Sequence, residues 1–253
     1  MLKKRIIPCL LLKGGRCVKG VNFENHRDVG HPITNAKIYE AQGADELIFL
    51  DIEVNEKPGR GLLLEIVRQT ADECFMPFCA GGGIKSLADI NNLLRAGADK
   101  VAINTAAVKK PDFIRAAAEK FGRQCVVVAI DYKIIKNQSK VFINNGQEAT
   151  GLDAVDWAKK AVELGAGEIL LTNIDKEGRR RGYDLAMIKK VAAMVGVPVI
   201  ASGGCGTLED LKKAIMNGAA AVSLASILHF TDQNVIKARN YLATSGIDVR
   251  INI

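Results

Sequence analysis

Aromatic side chains make up only 5% of this chain, with a single tryptophan and four tyrosines. Single-stranded nucleic acid is held by rings interleaved with basic residues, and no such run occurs here, so a nucleic-acid module is disfavoured. Histidine is also scarce: His26, His31 and His229 stand apart without metal-ligand spacing, and neither a metal site nor a cofactor is expected. No apolar run approaches the ~18 residues of a membrane span, so no membrane association is expected. The opening MLKKRIIPCLLLKGGR sets positive residues before an apolar run, but that run stops at Lys13 with no small-residue cleavage site. It is not read as a secretory signal. The six cysteines show no paired CxxC spacing and lie in or beside apolar runs, as buried reduced thiols of a cytoplasmic protein do.

What is present suits a large folded core. The 253 residues are 48% hydrophobic and 25% charged, which excludes global disorder. An excess of 35 Lys and Arg over 28 Asp and Glu gives +7, which favours anionic partners such as phosphorylated small molecules or an acidic protein face. Apolar strand-like runs recur at 5–12, 46–52, 76–83, 100–104, 125–131, 168–175, 197–204 and 221–226. Amphipathic helical patterns lie between them, for example at 86–98, 111–122 and 207–219. Short non-alternating strands separated by helices predict a parallel sheet covered on its outer side. Eight such units predict a single (β/α)8 TIM barrel domain spanning 1–253.

An internal repeat sharpens this expectation. PFCAGGGIKSLADINNLLRAGAD, from Pro77, aligns without a gap to PVIASGGCGTLEDLKKAIMNGAA, from Pro198, so the barrel is two duplicated half-barrels. The register pairs Gly82 with Gly203, Gly83 with Gly204, Asp89 with Asp210 and Thr105 with Ser226. Small shifts pair IPCLLLK (7–13) with VVAIDYK (127–133), placing Leu11 against Asp131.

Active-site groups of such barrels lie at the C-terminal ends of the strands. Gly82 and Gly83 end one strand and precede a helix, where unhindered backbone can cup an anion, and Asn104 and Thr105 add side-chain donors after the next strand. Gly203, Gly204 and Ser226 form the duplicate set. Two phosphate cradles across one mouth suggest a ligand carrying a phosphate at each end. Among the acids at strand ends, Asp51, Asp131 and Asp175, the strongest catalytic candidate is Asp131, because a carboxyl inside VVVAIDYK is costly to bury without a task. At the opposite ends of the strands, Arg5, Glu46, Lys100 and Glu168 each open an apolar run. If inward-facing, they make a ring of paired charges at the barrel floor; the alternative is four unrelated surface ions.

The motifs KRIIPCL, VKGVNFENHRDVG, DELIFLDI, DKVAINTAA, GAGEILLTNIDKEG, IASGG and SILHF, with the final VRI, run through the whole chain. Together they resemble the cyclase family of imidazole glycerol phosphate synthase, from histidine biosynthesis. The resemblance implies a glutaminase subunit docked at the floor, with ammonia passing a charged gate to a bisphosphorylated ribosyl-aminoimidazole-carboxamide. It implies that Arg5, Glu46, Lys100 and Glu168 are that ammonia gate. Gly82, Asn104, Thr105, Gly203, Gly204 and Ser226 would be phosphate contacts, and Lys19 would lie on a mobile loop over the mouth.

One position departs from the family pattern. Of its two aspartates, Asp131 matches one, whereas the other falls on Leu11, within CLLLKGGR. Leucine carries no proton, and a lost acid/base group costs about 10² to 10⁴ in rate. Glu177, where the family more often has aspartate, is a milder change. The same leucine run resembles cyclase paralogues associated with surface-polysaccharide genes. The expectation is therefore a glutaminase-coupled barrel that binds a phosphorylated ligand and conducts ammonia for surface-sugar amidation, with imidazole formation weak or lost. The alternative is a true cyclase of histidine biosynthesis.

Overall fold

A computed structural model describes residues 3–53 and 60–250, so Ile251, the last residue of the VRI match, lies outside the described residues. Eight strands close into a parallel barrel: β1 (Arg5–Lys13), β4 (Leu47–Asp51), β5 (Phe78–Gly81), β6 (Lys100–Ile103), β7 (Val126–Ile135), β10 (Glu168–Asn173), β11 (Val199–Ser202) and β12 (Ala221–Leu224). They are hydrogen-bonded in that order, and β12 returns to β1 through pairs such as Arg5 with Ala221 and Ile7 with Ser223. Helices alternate with them, among them α3 (Leu87–Arg95), α4 (Thr105–Lys109), α5 (Asp112–Phe121), α8 (Leu208–Met216) and α9 (Ser226–His229). The expected (β/α)8 barrel is the observed one. No helix among the described residues is long and apolar enough to cross a membrane.

Period-two side-chain alternation sorts each apolar strand between two cores. Ile6 and Leu10 of β1, with Phe49, Ile90, Ile114 and Val128, pack between barrel and helices. Ile7 and Cys9, with Ile48, Cys79, Val127 and Leu170, fill the barrel axis. Strands buried on both faces cannot alternate apolar with polar residues, which is why the runs read as continuous. Each fully buried Ile or Leu contributes about 1.5–3 kcal/mol.

The repeat has a structural counterpart in detail. The Asp89 side chain accepts backbone N–H groups of Lys85 and Ser86 at 2.9 and 2.8 Å, and Asp210 accepts those of Gly206 and Thr207 at 3.0 and 2.9 Å. The aspartates matched by the alignment thus close the same turn before α3 and α8. Asn104 and Ala225, also 121 residues apart, share nearly the same backbone, with φ −127° and −142° and ψ −84° at both.

Among the described residues only β1 and β7 continue past the rim, each into two antiparallel strands that the sequence pattern does not predict. These are β2 (Arg16–Val21) with β3 (Glu24–Gly30), and β8 (Gln138–Ile143) with β9 (Glu148–Asp153). They fold over the mouth and touch: a Cβ built on Gly146 lies 2.9 Å from the Phe23 ring. Asn145 Nδ2 donates to Ile52 O at 2.6 Å.

Two glycines at the rim are required by close approach. A Cβ on Gly82 falls 2.2 Å from Asp51 O, and one on Gly204 falls 2.3 Å from Gly182 O, both at positive φ. Gly82→Ala and Gly204→Ala are expected to destabilise by more than ~2 kcal/mol through overlap and strain. Gly196, with nothing within 4 Å of its added Cβ, is expected to gain about 0.4–1 kcal/mol as alanine. Urea unfolding of the three variants checks this, and a Gly82→Ala chain as stable as Gly196→Ala would contradict it.

Candidate active site

The C-terminal mouth is a cavity of about 1180 Å³. Inward positions run in steps of two along each strand, so Leu11 follows Arg5, Ile7 and Cys9 on β1, and Asp131 follows Val127 and Ala129 on β7. Leu11 and Asp131 both line the cavity, each at the level where its strand begins to pair with its own hairpin. Leu11 is flanked by Leu50 and Val18, Asp131 by Thr172 and Phe142. The aligned positions are therefore structurally equivalent, one bearing an alkyl group and the other a carboxyl.

Burial pushes the Asp131 carboxyl up to about 7, against hydrogen bonds from Thr172 and Asn104 that favour the charged form, and the nearby Glu177 charge raises it further. Asn104 Nδ2 donates to Asp131 Oδ2 at 2.9 Å. A carboxyl balanced near neutrality can either give or take a proton at physiological pH. Asp51 also lies above its usual range, chiefly through burial, but its Oδ1 accepts Glu53 N–H at 2.9 Å and its carbonyl walls the Gly82 turn. Asp175 accepts Ile134 N–H at 3.2 Å, tying the loop after β10 to the end of β7. Of the GRRRG run, Arg179 donates to Asn22 Oδ1 at 3.0 Å and Arg180 to Phe230 O at 3.3 Å.

The two glycine and hydroxyl sets face each other. Gly82 and Gly83 follow β5 and Thr105 opens α4 after β6; Gly203 and Gly204 follow β11 and Ser226 opens α9 after β12. In the barrel order each set lies four strands from the other, so they sit across the mouth. All of them line the cavity. The Ser226 hydroxyl oxygen is buried without a hydrogen-bond partner among the described residues. Thr105 Oγ1 accepts the Asn144 N–H at 3.0 Å, so the β8–β9 hairpin leans on that side.

Lys19, which the resemblance sets on a loop, lies within β2 and is 1% exposed. Its ammonium forms an ion pair with Glu177 Oε1 inside the cavity wall. The backbone around Glu177 is pinned on both sides, its N–H donating to Asn173 O at 3.0 Å and its carbonyl accepting Asn22 N–H at 3.0 Å.

At the floor the four charged residues face inward and alternate in sign. Arg5 contacts Glu46 at 2.7 Å and Glu168 at 3.0 Å, and Lys100 contacts the same two carboxylates at 2.9 and 3.1 Å. Burial opposes the charge on both cations, but the two carboxylates outweigh it, holding Arg5 and Lys100 above their ordinary values. Four unrelated surface ions is thus not what the strands make of these residues.

The family described as "Histidine biosynthesis protein" matches residues 5–234. The chain belongs to this family. The protein named imidazole glycerol phosphate synthase subunit HisF, from Hyphomonas neptunium (strain ATCC 15444), is 53% identical over 251 residues, which cover 99% of each chain. Within this histidine biosynthesis barrel, two features of the site escape a linear reading. Thr172 is an inward position of β10, four residues beyond Glu168 and two beyond Leu170, and that parity turns it to the same side as Asp131, its register partner on β7. The burial of Lys19 carries no such mark, because it depends on a hairpin whose strands are too polar to be read from pattern.

Proposed function

We propose that this chain is the ammonia-dependent cyclase of an imidazole glycerol phosphate synthase, working in the cytoplasm with residues 1–253 as one barrel domain. The observation that carries the reading is Asp131, held near neutrality at the base of a mouth flanked by two matched glycine and hydroxyl sets. A bisphosphorylated ribosyl-aminoimidazole-carboxamide spans that mouth, one phosphate at Gly82, Gly83, Asn104 and Thr105, the other at Gly203, Gly204 and Ser226. Its reacting centre then lies over Asp131. A glutaminase docks at the floor, and ammonia enters past Arg5, Glu46, Lys100 and Glu168. The name and 53% identity of the Hyphomonas relative support this reading better than they support a paralogue outside histidine synthesis.

Leu11 favours a second reading. It extends the apolar lining of the axis to the level of Asp131, which suits passage of neutral ammonia to a separate acceptor, such as a surface-sugar amidation, with ring formation weakened. Ammonia-driven turnover of the bisphosphate by the natural chain, beside Leu11→Asp, separates the two. The cyclase reading expects rates within ~10-fold of each other; activity confined to Leu11→Asp, with a gap of ~10² or more, supports the second reading. Turnover by neither chain would overturn the cyclase reading.

A further inference from the structure

We infer that Glu177 is the second proton carrier of this site, doing for the β1 side of the mouth what no side chain at Leu11 can do. The inference rests on the cyclase reading and names a catalytic group within it. Glu177 lines the same cavity as Asp131 and Leu11, and its side chain is 12% exposed. Its two oxygens are used unequally. Oε1 is paired with Lys19, whereas Oε2 is buried without a hydrogen-bond partner among the described residues. A buried carboxylate oxygen left unsatisfied costs free energy of the order of a lost hydrogen bond, and a purely structural ion pair gains nothing by it. Oε2 is thus the oxygen of this cavity-lining carboxylate that is left without a donor among the described residues, and it can take up a proton while Oε1 keeps its pair with Lys19.

The position also answers the geometry. The charge of Glu177 is felt at Asp131 on β7 and at Cys9 on β1, two residues before Leu11 on the same inward row. Glu177, in the loop after β10, thus acts electrostatically on residues of both strands that the duplication equates. Its backbone is held by Asn173, Ile174 and Asn22, so its carboxylate is positioned before any ligand arrives. Lys19, 1% exposed, donates to its Oε1 and fixes the orientation of the carboxylate. In a turnover, the O–H bond of the Asp131 carboxyl breaks as its proton goes to the substrate. The nitrogen added from ammonia sheds a proton, its N–H bond breaking as an O–H bond forms on the Glu177 carboxylate. That proton passes back to Asp131, and both groups return to their starting forms.

The test is ammonia-driven turnover of the bisphosphate by five purified chains: natural, Glu177→Gln, Glu177→Asp, Leu11→Asp/Glu177→Gln and, for reference, Leu11→Asp. Glu177→Gln is expected to lose 10² to 10⁴ in kcat, and Glu177→Asp to stay within ~10-fold of the natural chain. The double variant is expected to recover to within ~10-fold of Leu11→Asp, because the acid restored at position 11 takes over the role. Glutamine leaves Lys19 buried without its counter-ion, so thermal unfolding is recorded for each chain. Should Glu177→Gln not fold, the double variant against Leu11→Asp still decides. A kcat for Glu177→Gln within ~10-fold of natural overturns the inference, as does a folded double variant that remains ~10²-fold below Leu11→Asp. If Leu11→Asp is active and the natural chain is not, Glu177 fails as a proton carrier while the ligand site stands. If both are inert, the cyclase reading itself fails.

Discussion

Asp131→Asn is expected to remove most turnover and, at the same time, to stabilise the protein above neutral pH. The carboxyl is raised from 3.8 to about 7, chiefly by burial. Between those values the folded chain keeps a proton that the unfolded chain has released. The native state's advantage from this group is therefore full below about pH 4, declines as pH rises toward 7, and is absent beyond. The upper limit of the penalty at alkaline pH is roughly 4 kcal/mol. Asparagine keeps the shape and does not titrate. Its Tm is expected to exceed that of the natural chain by ~5–10 °C at about pH 8, with the gap shrinking toward pH 5, while turnover falls by about 10² to 10⁴. Thermal scans at the two pH values check the account, and an equal shift at both would contradict it.

Lys100→Met is expected to cost more stability than the removal of all four floor charges together. Lys100 bonds Glu46 at 2.9 Å and Glu168 at 3.1 Å, and Glu46 is only 3% exposed. Without Lys100, two carboxylates share Arg5 alone in a poorly hydrated space. Breaking such a buried set typically costs about 3–5 kcal/mol, whereas replacing a whole set by apolar residues of similar volume is often neutral or favourable. The single variant should therefore lose ~6–15 °C in Tm, and a chain with Arg5, Glu46, Lys100 and Glu168 all made apolar should lose less. If the fourfold variant is the less stable of the two, the ring contributes net stability and the desolvation argument fails.

The barrel strands were legible because burial on both faces removes alternation, leaving apolar runs such as ELIFLDI and VVVAID that polar helices punctuate. The half-barrel repeat was legible because its turns reuse glycine and aspartate at fixed places, Gly82 with Gly203 and Asp89 with Asp210. The charge ring followed from one inward position per strand. The hairpins were not legible: β3 reads ENHRDVG and is mostly exposed, so no apolar period marks it. Their turns do carry a trace, since Asn22, Phe23, Asn144 and Asn145 all adopt positive φ, and NNG is turn chemistry. The pairing of Lys19 with Glu177 joins the β2–β3 hairpin to the loop after β10, residues 158 apart, and leaves no local pattern to read.

The two hairpins also decide where the sheet ends. A closed barrel has no edges, but among the described residues β3 pairs only with β2, and β9 only with β8, so each hairpin leaves one row of backbone groups outside the sheet ladder. Such a row is a template on which a strand of another chain can add. Both rows are written in residues that resist this: ENHRDVG carries charge at Glu24, Arg27 and Asp28, and EATGLD opens and closes on Glu148 and Asp153. The flaps that cover the mouth are thereby kept from becoming seeds of edge-to-edge aggregation.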